Sequence, residues 1–565
     1  MIKKWIYSKI DSATIEDVAK VNNISKLLAK IMLARGIDTP EKINNFLNPE
    51  ISSLYDPFLF NDMDLAVDAV INSINNNEKI TIYGDYDVDG ITSVAVLKSY
   101  LIERGANVAH YLPNRLEEGY GLNNEAIDKI AEDGTNLLIT VDCGISAYEE
   151  IEYAKSKGMK VIVTDHHECP KVMPEAIAVI DAKRSDSNYP FSSLAGVGVT
   201  FKFIQAISKK LDLDRKSYLK YIDIVALGTI ADIVPLVDEN RIIVKYGLIL
   251  MEQTRNIGLK ALIDVSGYAK GEPINSTVIS FGLAPRMNAA GRMGKADLAL
   301  DLLLEKEPQK AINMAMELSE TNKTRQNVEK EIIDEIINMV ESQKLYEKDV
   351  IVVHNEGWHH GVIGIVASKI TEMYYKPTIL ISVEDGVGKG SGRSIEGFDL
   401  HEAVSECSDM LLKFGGHEMA IGLSISEELI EKFTDKLNEI AESKNIKELQ
   451  PTLPVEAEIT SKEISMDTIK ELEALKPYGE GNPMPLFVYR NAKVDGVRLL
   501  SNEKHLKLTL KEDSNIFDAI AFNMDNKKYS IKQGDKVDVL HSLEINTFNG
   551  IQKVQLNVKD IKKSL

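Results

Sequence analysis

The chain has 565 residues, of which 44 % are hydrophobic and 27 % charged, and its formal net charge is −20. This length exceeds what one core supports and predicts about three to four domains, while the composition excludes a chain dominated by disorder. The acidic total argues against a surface coated with basic side chains for gripping duplex DNA, although a local basic groove is compatible with it.

Membrane insertion and export have no support in the sequence. No apolar run reaches the roughly 18–20 residues that cross a bilayer, and the opening MIKKW is not followed by the apolar stretch of a signal peptide. Cys143, Cys169 and Cys407 are scattered and form neither a metal-ligand spacing nor a disulfide framework. We therefore expect a cytoplasmic protein without membrane association.

The first half of the chain predicts a helical segment followed by an α/β domain. Residues 1–55 are expected to form short helices, and residues 56–305 the domain itself. Short apolar runs at 79–83, 136–141 and 160–164 alternate with helical stretches, a pattern typical of a parallel sheet covered on both faces. In such a sheet the ligand site lies beyond the carboxyl ends of the strands, and acidic residues recur at those ends.

The second half predicts a long helix, a second α/β domain and a β domain. Residues 308–343 lack Gly and contain Pro only at the start, which predicts a helix of about 45 Å within a connecting segment at 306–345. Residues 346–447 are expected to form the second α/β domain. Within 448–565, short β runs separated by turns predict a small antiparallel barrel; they lie at 506–510, 516–521, 537–540 and 554–558.

Three aspartates alternate in the stretch 84–90, which reads GDYDVDG. Asp85, Asp87 and Asp89 repel one another strongly unless cations neutralise them. A solvated turn or a calcium-binding loop would also use alternating Asp and Gly. The EF-hand form of that loop needs Glu at its twelfth position, where this chain has Val96, so the EF-hand is excluded and a metal site or a solvated turn remains.

Further candidates follow apolar runs. Asp142 comes after the run at 136–141, where a lone Asp is often a helix N-cap, and Asp165-His166-His167 comes after the run at 160–164. Asp232 lies among apolar residues, where a bare carboxylate is costly, and we expect it too at a strand end. Several carboxylates and an imidazole at one sheet edge could hold two divalent cations about 3.5–4 Å apart, which would activate water against a phosphate ester.

These motifs together resemble the DHH phosphoesterase superfamily and, within it, the RecJ family of single-strand-specific 5′→3′ exonucleases. The first lobe carries the resemblance at 84–90 (GDYDVDG), 141–144 (VDCG), 165–167 (DHH) and 226–232 (ALGTIAD). The second lobe resembles the DHH-associated domain at 285–292 (PRMNAAGR), 358–364 (WHHGVIG), 390–394 (GSGRS) and 415–417 (GGH). The stretch 477–483 (PYGEGNP), followed by β-rich sequence, is similar to the entry to the family's OB-fold domain. The resemblance covers nearly the whole chain.

The resemblance implies roles for individual residues. The implied metal ligands are Asp87, Asp89, Asp142, His166 and Asp232, and His167 is implied to contact the scissile phosphate. Smaller superfamily members often have a histidine where this chain has Tyr83. Asp85 is therefore implied to have a catalytic role, either as a substitute metal ligand or as a residue that contacts the ligands without binding the metal. The implied substrate-binding residues are Arg115, Tyr120, Arg286, Arg292, Ser391, Arg393 and His417.

The resemblance also implies fold and function. The fold class is α/β, with two α/β lobes joined by a long helix and a C-terminal OB-like barrel. The function is a 5′→3′ exonuclease that degrades single-stranded DNA to 5′-mononucleotides in DNA repair and recombination, using two Mn²⁺ or Mg²⁺ ions. A single-strand-binding protein and a helicase are implied partners of a monomeric enzyme. Two alternatives stay open: a superfamily hydrolase of short oligonucleotides, and a non-catalytic replication-complex scaffold.

Overall fold

The computed structural model of the chain describes residues 3–115, 118–119, 121–267, 273–500, 504–524, 529–548 and 550–564. The chain forms two compact units. One comprises Met1–Ser53, Leu236–Asp238 and Gln450–Leu565, and the other Leu54–Pro235 and Glu239–Leu449. Within the described ranges, no helix combines the length and the apolar character that a bilayer crossing requires.

The N-terminal segment is one short strand followed by three helices. These are β1 (Lys4–Tyr7), α1 (Ser12–Asn22), α2 (Lys26–Ala34) and α3 (Pro40–Leu47). Side chains of Asp11, Ser25 and Thr39 accept backbone N–H bonds at the three helix starts, as expected of N-cap residues. The predicted short helices are present, and β1 is an addition that the sequence analysis did not predict.

A five-stranded parallel sheet forms the centre of the first lobe. Its strands lie in the order β3-β2-β4-β5-β6, and helices separate them along the chain except between β5 and β6. The elements are α4 (Met63–Asn75), β2 (Lys79–Gly84), α5 (Val88–Ile102), β3 (Asn107–Tyr111), α6 (Asn124–Glu132), β4 (Leu137–Val141), α7 (Tyr148–Ser156), β5 (Lys160–Thr164) and β6 (Ala178–Ile180).

The register of this sheet aligns the ends of four strands. Gly84 pairs with Val141, Val141 with Thr164, and Thr164 with Ile180, and each is the last residue of its strand. The residue that follows each of them is an aspartate: Asp85, Asp142, Asp165 and Asp181. Four carboxylates therefore leave the sheet side by side at one edge.

Helices complete the first lobe. They are α8 (Gly196–Lys210), α9 (Lys216–Leu219), α10 (Ile222–Ala231), α11 (Asp238–Met251), α12 (Ile257–Val265), α13 (Ser276–Val278), α14 (Ala284–Arg292) and α15 (Ala296–Leu304). Helix α5 packs against α8, α10 and α15. A π-helical turn at Ile279–Leu283 leads into α14, and turns of this kind often occur at functional sites.

A long helix, α16 (Pro308–Ser342), links the first lobe to a second one. Its 35 residues correspond to about 52 Å at 1.5 Å per residue, as the Gly-free run predicted. The second lobe contains β7 (Ile351–Glu356), α17 (His360–Tyr374), β8 (Thr378–Glu384), β9 (Val387–Arg393), α18 (Leu400–Ser405), β10 (Leu411–His417), β11 (Ala420–Ser426) and α19 (Ile430–Ser443). Its sheet has the order β10-β11-β9-β8-β7, in which only the β7–β8 pairing is parallel.

The C-terminal part folds into a closed barrel. Its elements are β12 (Thr452–Val455), β13 (Ala457–Glu458), α20 (Met466–Leu472), β14 (Phe487–Leu500), β15 (His505–Glu512), β16 (Asn515–Ala521), β17 (Lys536–Phe548) and β18 (Ile551–Lys563). Strands β14-β15-β16-β18-β17 follow one another and β17 pairs back with β14. Four of the five pairings are antiparallel and β16–β18 is parallel. Strand β12 pairs in parallel with β1.

Candidate metal centre

The first acidic stretch lies in the turn from β2 into α5. The carboxylate of Asp87 caps the helix by accepting N–H bonds from Asp89 at 2.9 Å and Gly90 at 3.1 Å. Asp85 is buried, and its Oδ1 has no hydrogen-bond partner among the described residues. Burial, followed by the charge of Asp87, raises the pKa of Asp85 well above its ordinary value. A buried carboxyl of this kind needs either a proton or a cation.

Asp89 points at the start of another helix. Its carboxylate accepts the backbone N–H groups of Gly196 at 2.6 Å and Val197 at 2.8 Å, in the first turn of α8. A helix N-terminus favours a negative charge at this position. Burial and the charge of Asp87 nevertheless raise the pKa of Asp89 to about 7. One helix start therefore fixes the orientation of the carboxylate without neutralising it.

Asp142 directly follows β4 and is not a helix cap. Helix α7 begins at Tyr148 with Ala147 as its N-cap, whereas Asp142 has φ +61°, a strained conformation of the type found at functional sites. Its Oδ1 lies 3.1 Å from Nε2 of His166. This atom has no hydrogen-bond partner among the described residues. Burial, then the charges of Asp89 and Asp87, raise the pKa of Asp142 well above its ordinary value.

The three residues of the DHH string have different environments. Asp165 accepts the N–H groups of Ile145 at 2.9 Å and His166 at 2.7 Å, and its Oδ1 lies 2.7 Å from Nδ1 of His167. Burial alone would raise the pKa of Asp165, but the hydrogen bond and charge of His167 lower it below its ordinary value. Asp165 thus orients His167, whose side chain is 45 % exposed.

His166 faces the carboxylates. Its Nε2 lies 3.1 Å from Asp142, 3.7 Å from Asp232 and 3.9 Å from Asp89. Burial, assisted by the charge of His167, lowers the pKa of His166 to about 3. The imidazole is therefore neutral at physiological pH, which is the form that binds a metal ion.

Asp232 does not lie at a strand end, so that expectation was wrong. It is the C-cap of α10, and the apolar run before it is helical. Gly228 lets that helix pack closely, since a Cβ there would lie 2.2 Å from Oγ1 of Thr92 on α5. This packing brings the end of α10 to the strand-end carboxylates. Burial, then the charges of Asp89 and Asp87, raise the pKa of Asp232 to about 9.

These side chains have the arrangement of a divalent-cation site. Within the described residues, three groups each have one ligand atom per residue within 4.8 Å of the others: Asp142, His166 and His167; Asp89, His166 and Asp232; Asp85, Asp87 and Asp142. Buried atoms without a hydrogen-bond partner are Oδ1 of Asp85, Oδ1 of Asp142, Nε2 of His166 and Oδ2 of Asp232. Carboxylates crowded out of water in this way fit cations that prefer oxygen ligands plus one imidazole.

Two features of the site were missed from the sequence. Asp181 follows β6 as the fourth carboxylate of the strand-end row; it is buried, and burial raises its pKa to about 7. Its signal was the apolar triplet 178–180 before it, which is too short to stand out as a strand. The second feature is Gly196, where an added Cβ would lie 2.4 Å from Oδ1 of Asp142; the glycine-rich start of α8 was its signal.

Guanidinium groups gather beside the carboxylates. Burial, then the charges of Arg115, Arg325 and Arg393, lower the pKa of Arg292 to about 10. Arg292 donates to the carbonyl of Gly361 at 3.1 Å, at the start of α17, and Arg393 donates to Ser391 Oγ at 3.3 Å. The structure therefore brings Arg115, Arg292, Ser391 and Arg393 together from both lobes. Arg325 belongs to this group but is bound by Glu329 and Asn322.

Two further predicted substrate-binding residues, Arg286 and His417, are not part of that group. Arg286 donates to Ser319 Oγ at 3.1 Å, to the carbonyl of Ser266 at 3.3 Å and to the carbonyl of Gly282. His417 is exposed at the end of β10, and its Nδ1 accepts the N–H of Met419 at 3.3 Å. Tyr120 lies outside the described residues. Their proposed contacts with substrate stay predictions.

Comparison with known proteins agrees with this fold. Residues 79–229 match the DHH family, N-terminal domain, residues 347–443 the DHHA1 domain, and residues 455–560 the RecJ OB domain. The chain is 39 % identical to the single-stranded-DNA-specific exonuclease RecJ of Bacillus subtilis, over 99 % of this chain and 70 % of that protein. It is 35 % identical to the RecJ exonuclease of Haemophilus influenzae, over 96 % and 97 %.

Solved structures give the same result. The crystal structure of RecJ in complex with Mn²⁺ from Thermus thermophilus matches with a TM-score of 0.86 and 29 % identity, covering 100 % of this chain and 80 % of that one. The Mg²⁺ complex from the same organism matches with a TM-score of 0.78 and 27 % identity, over 100 % and 79 %. The predicted fold class is confirmed.

The carboxylate and imidazole cluster at the edge of a parallel sheet, together with a DHHA1 lobe, defines a DHH-type phosphoesterase. Its C-terminal barrel matches the RecJ OB domain. The chain belongs to the RecJ family, as the resemblance of its motifs predicted.

Proposed function

We propose that the chain is a divalent-cation-dependent exonuclease that removes 5′-mononucleotides from the 5′ end of single-stranded DNA, in DNA repair and recombination. The observation that carries the proposal is the set of buried ligand atoms of Asp85, Asp142, His166 and Asp232, which have no hydrogen-bond partner among the described residues and lie close to one another. Burying such a cluster is energetically unfavourable, and a scaffold without catalytic activity would not require it.

The residues that would hold the cations are Asp87, Asp89, Asp142, His166 and Asp232. When bound there, two Mn²⁺ or Mg²⁺ ions would supply a lowered pKa for water and would neutralise charge on the phosphate and the leaving oxygen. We propose Asp85 as a further ligand, because it groups with Asp87 and Asp142. Tyr83 cannot take that role, since its hydroxyl donates to the carbonyl of Gly121 at 2.9 Å.

His167 is proposed to act on the scissile phosphate. Asp165 holds Nδ1 of His167, so Nε2 is the ring atom that we assign to the phosphate oxygen. Burial alone would lower the pKa of His167, but the hydrogen bond and charge of Asp165 outweigh it and raise that pKa above its ordinary value. A protonated imidazole stabilises negative charge that builds up on the phosphate in the transition state.

The arginine group is proposed to bind substrate phosphates. Arg115, Arg292 and Arg393, with Ser391, offer forked donors that match a terminal 5′-phosphate. Tyr120 is proposed to stack on a base, and Arg286 and His417 to contact the strand further along. Binding of the terminal phosphate would place the first internucleotide linkage at the metal ligands, which explains a 5′→3′ direction.

The domain boundaries follow the sequence pattern. We assign residues 1–55 to an N-terminal helical segment, 56–305 to the phosphoesterase domain, 306–345 to the connecting helix, 346–447 to the second lobe and 448–565 to the OB-like domain. The OB-like domain would hold DNA beyond the site or bind a partner. A single-strand-binding protein and a helicase are the proposed partners of a cytoplasmic monomer.

Substrate length and end chemistry test the proposal. The wild-type protein with Mn²⁺ is given a 5′-phosphorylated single strand of about fifty nucleotides, the same strand as a blunt duplex, and a dinucleotide. We expect release of 5′-mononucleotides from the single strand, at least about tenfold slower release from the duplex, and slower cleavage of the dinucleotide because it makes fewer phosphate contacts. Faster cleavage of the dinucleotide would favour a short-oligonucleotide hydrolase, and no release would favour the scaffold.

A further inference from the structure

The edge of the first-lobe sheet has a cation at each end. Strand β3 is outermost on one side, with Arg115 on the loop after it, and β6 is outermost on the other, with Lys183 on the loop after it. Neighbouring strands lie about 4.8 Å apart, so the row from β3 to β6 spans roughly 19 Å. Asp142 and His166, which follow β4 and β5, lie between the two cations along this edge.

The turn that carries Lys183 is firmly held. The carboxylate of Asp181 accepts the N–H of Lys183 at 2.7 Å. The next residue, Arg184, donates to the carbonyl of Val179 and to Asp62, both at 2.6 Å. The backbone on both sides of Lys183 is therefore anchored, which reduces the entropy lost when its side chain binds a ligand.

The ammonium group of Lys183 has a weak protein partner. It lies 3.1 Å from Glu168, whose side chain is 87 % exposed, and ion pairs of this kind contribute little to stability. Its charge reaches the metal centre: Lys183 opposes the rise in the pKa of Asp232 that burial and Asp89 cause, and it adds to the lowering of the pKa of His166 by burial. Because this ion pair is exposed and weak, a substrate phosphate near Lys183 can replace Glu168 as its partner.

We propose that Lys183 is a further substrate-binding residue, which contacts a backbone phosphate of the single strand downstream of the scissile linkage, on the side of the metal centre opposite Arg115. The inference rests on the proposed function, because it takes the strand to run along the sheet edge from the arginine group. Lys183 acts as a point charge on that phosphate, and the residue is absent from the set that the family resemblance implies.

The test compares Lys183→Gln, Lys183→Arg and Lys160→Gln in the full-length protein. Lys160 is the matched control, because it begins β5 at the opposite edge of the same sheet and pairs weakly with Glu78 at 3.5 Å. On a 5′-phosphorylated single strand with Mn²⁺, we expect Lys183→Gln to raise KM about five- to tenfold with little change in kcat. Lys183→Arg should restore most of the loss, and Lys160→Gln should match wild type.

Neutral linkages identify the phosphate. Single methylphosphonates are placed in turn at each of the linkages after the scissile one. At one position, the methylphosphonate should lower kcat/KM of the wild-type protein by the same factor as the Lys183→Gln substitution does. At that position, it should cause no further decrease in kcat/KM for Lys183→Gln. The salt dependence of kcat/KM should fall by about 0.7 in slope for Lys183→Gln, as for one lost contact with a single strand.

Two results would overturn the inference. If Lys183→Gln equals Lys160→Gln in KM and in salt slope, Lys183 forms only a surface ion pair. If every methylphosphonate lowers kcat/KM of Lys183→Gln by the same factor as it lowers that of the wild type, Lys183 contacts none of those phosphates. Fluorescence anisotropy of strand binding compares Lys183→Gln with Lys160→Gln without requiring cleavage. A wild-type protein that binds DNA but releases no nucleotide would refute the proposed function, and the binding comparison would still test the role of Lys183.

Discussion

Four aspartates in one row have different properties because their neighbours differ. Asp165 accepts three backbone N–H groups and contacts the ring of His167, and its pKa is lowered. Asp142 follows the adjacent strand, and burial, then the charges of Asp89 and Asp87, raise its pKa. Asp85 and Asp181, at the two ends of the row, are buried, each with one oxygen that has no partner among the described residues. Asp165 therefore supports an imidazole, whereas Asp85 and Asp142 have the environment of a cation site.

Gly196 is the residue where a minimal change should disturb this row. In Gly196→Ala the new Cβ would lie 2.4 Å from Oδ1 of Asp142, so the carboxylate must move. We expect the nuclease rate to fall at least about 100-fold, since small misplacements of catalytic groups are that costly. The Mn²⁺ concentration for half-maximal rate should rise.

The control for Gly196→Ala is Gly496→Ala in β14, where a new Cβ meets Thr509 at an ordinary 3.6 Å. Circular dichroism should report folded protein for both variants. A Gly196→Ala protein with wild-type rate and metal dependence would show that Asp142 tolerates displacement, against the role assigned to it.

At the scale of elements, the sequence predicted the buried strands and the long helix because their patterns are continuous. The runs at 79–83, 136–141 and 160–164 became β2, β4 and β5. Strand β6 was missed because three residues give no pattern, and β14 because its alternation is interrupted by a register shift between Val494 and Gly496. Asp232 was expected at a strand end because the mostly apolar stretch before it is compatible with either a strand or a buried helix.

A buried ion pair joins two of the helices around the site. Lys202 on α8 and Glu239 on α11 are both fully buried and lie 2.9 Å apart. Glu239 also accepts bonds from the N–H of Tyr55 at 2.9 Å and from the hydroxyl of Tyr189. Helix α8 supplies the N–H groups that hold Asp89, so this pair supports the site from outside it.

We expect Lys202→Met to destabilise the first lobe by about 3 kcal/mol, because it leaves a buried carboxylate without its cation. Lys209→Met is the control: Lys209 lies on the same helix and pairs with Asp56 at 2.6 Å, but both side chains are about half exposed, so the loss should stay below about 1 kcal/mol. Thermal unfolding followed by circular dichroism compares the two. Equal shifts in melting temperature would contradict the importance of the buried pair.

At the scale of the whole molecule, the arginine group could be predicted from the family resemblance but not from the residues alone. Arg292 and Arg393 are far apart in the chain and meet because α14 contacts the start of α17. No local pattern encodes that contact. The position of Arg286 outside this group was not predictable for the same reason, since it depends on a contact with Ser319 on α16. The barrel was predicted from its short β runs, whereas the parallel β16–β18 pairing needed the structure.

The barrel contains a buried histidine that predicts a pH dependence. Burial lowers the pKa of His541 from 6.5 to about 4, so the unfolded chain takes up a proton at a higher pH than the folded one. The stability of this unit should therefore fall as pH decreases from about 6.5 to about 4, by up to about 3 kcal/mol. In His541→Gln the fall across this window should be smaller by that amount.

Trp5 reports on this unit, because it packs with Val455, Val488 and Leu540. In a Trp358→Phe background it is the one remaining tryptophan, as the chain has two. Urea unfolding followed by Trp5 fluorescence at several pH values gives the dependence of stability on pH. The same dependence with and without the His541→Gln substitution would contradict the assignment.

The central claim is that the buried cluster holds divalent cations that cleave the strand. Its most direct test is the release of nucleotide from a 5′-labelled single strand by wild type, Asp142→Asn and Asp334→Asn, with Mn²⁺ and with EDTA. Asp334 is exposed on α16 and serves as the control. We predict release by wild type and Asp334→Asn only with Mn²⁺, and a rate at least about 1,000-fold lower for Asp142→Asn.

In EDTA, Asp142→Asn should melt at a higher temperature than wild type, because one of several buried like charges is gone. Near-normal release by Asp142→Asn, or release by wild type in EDTA, would contradict the account.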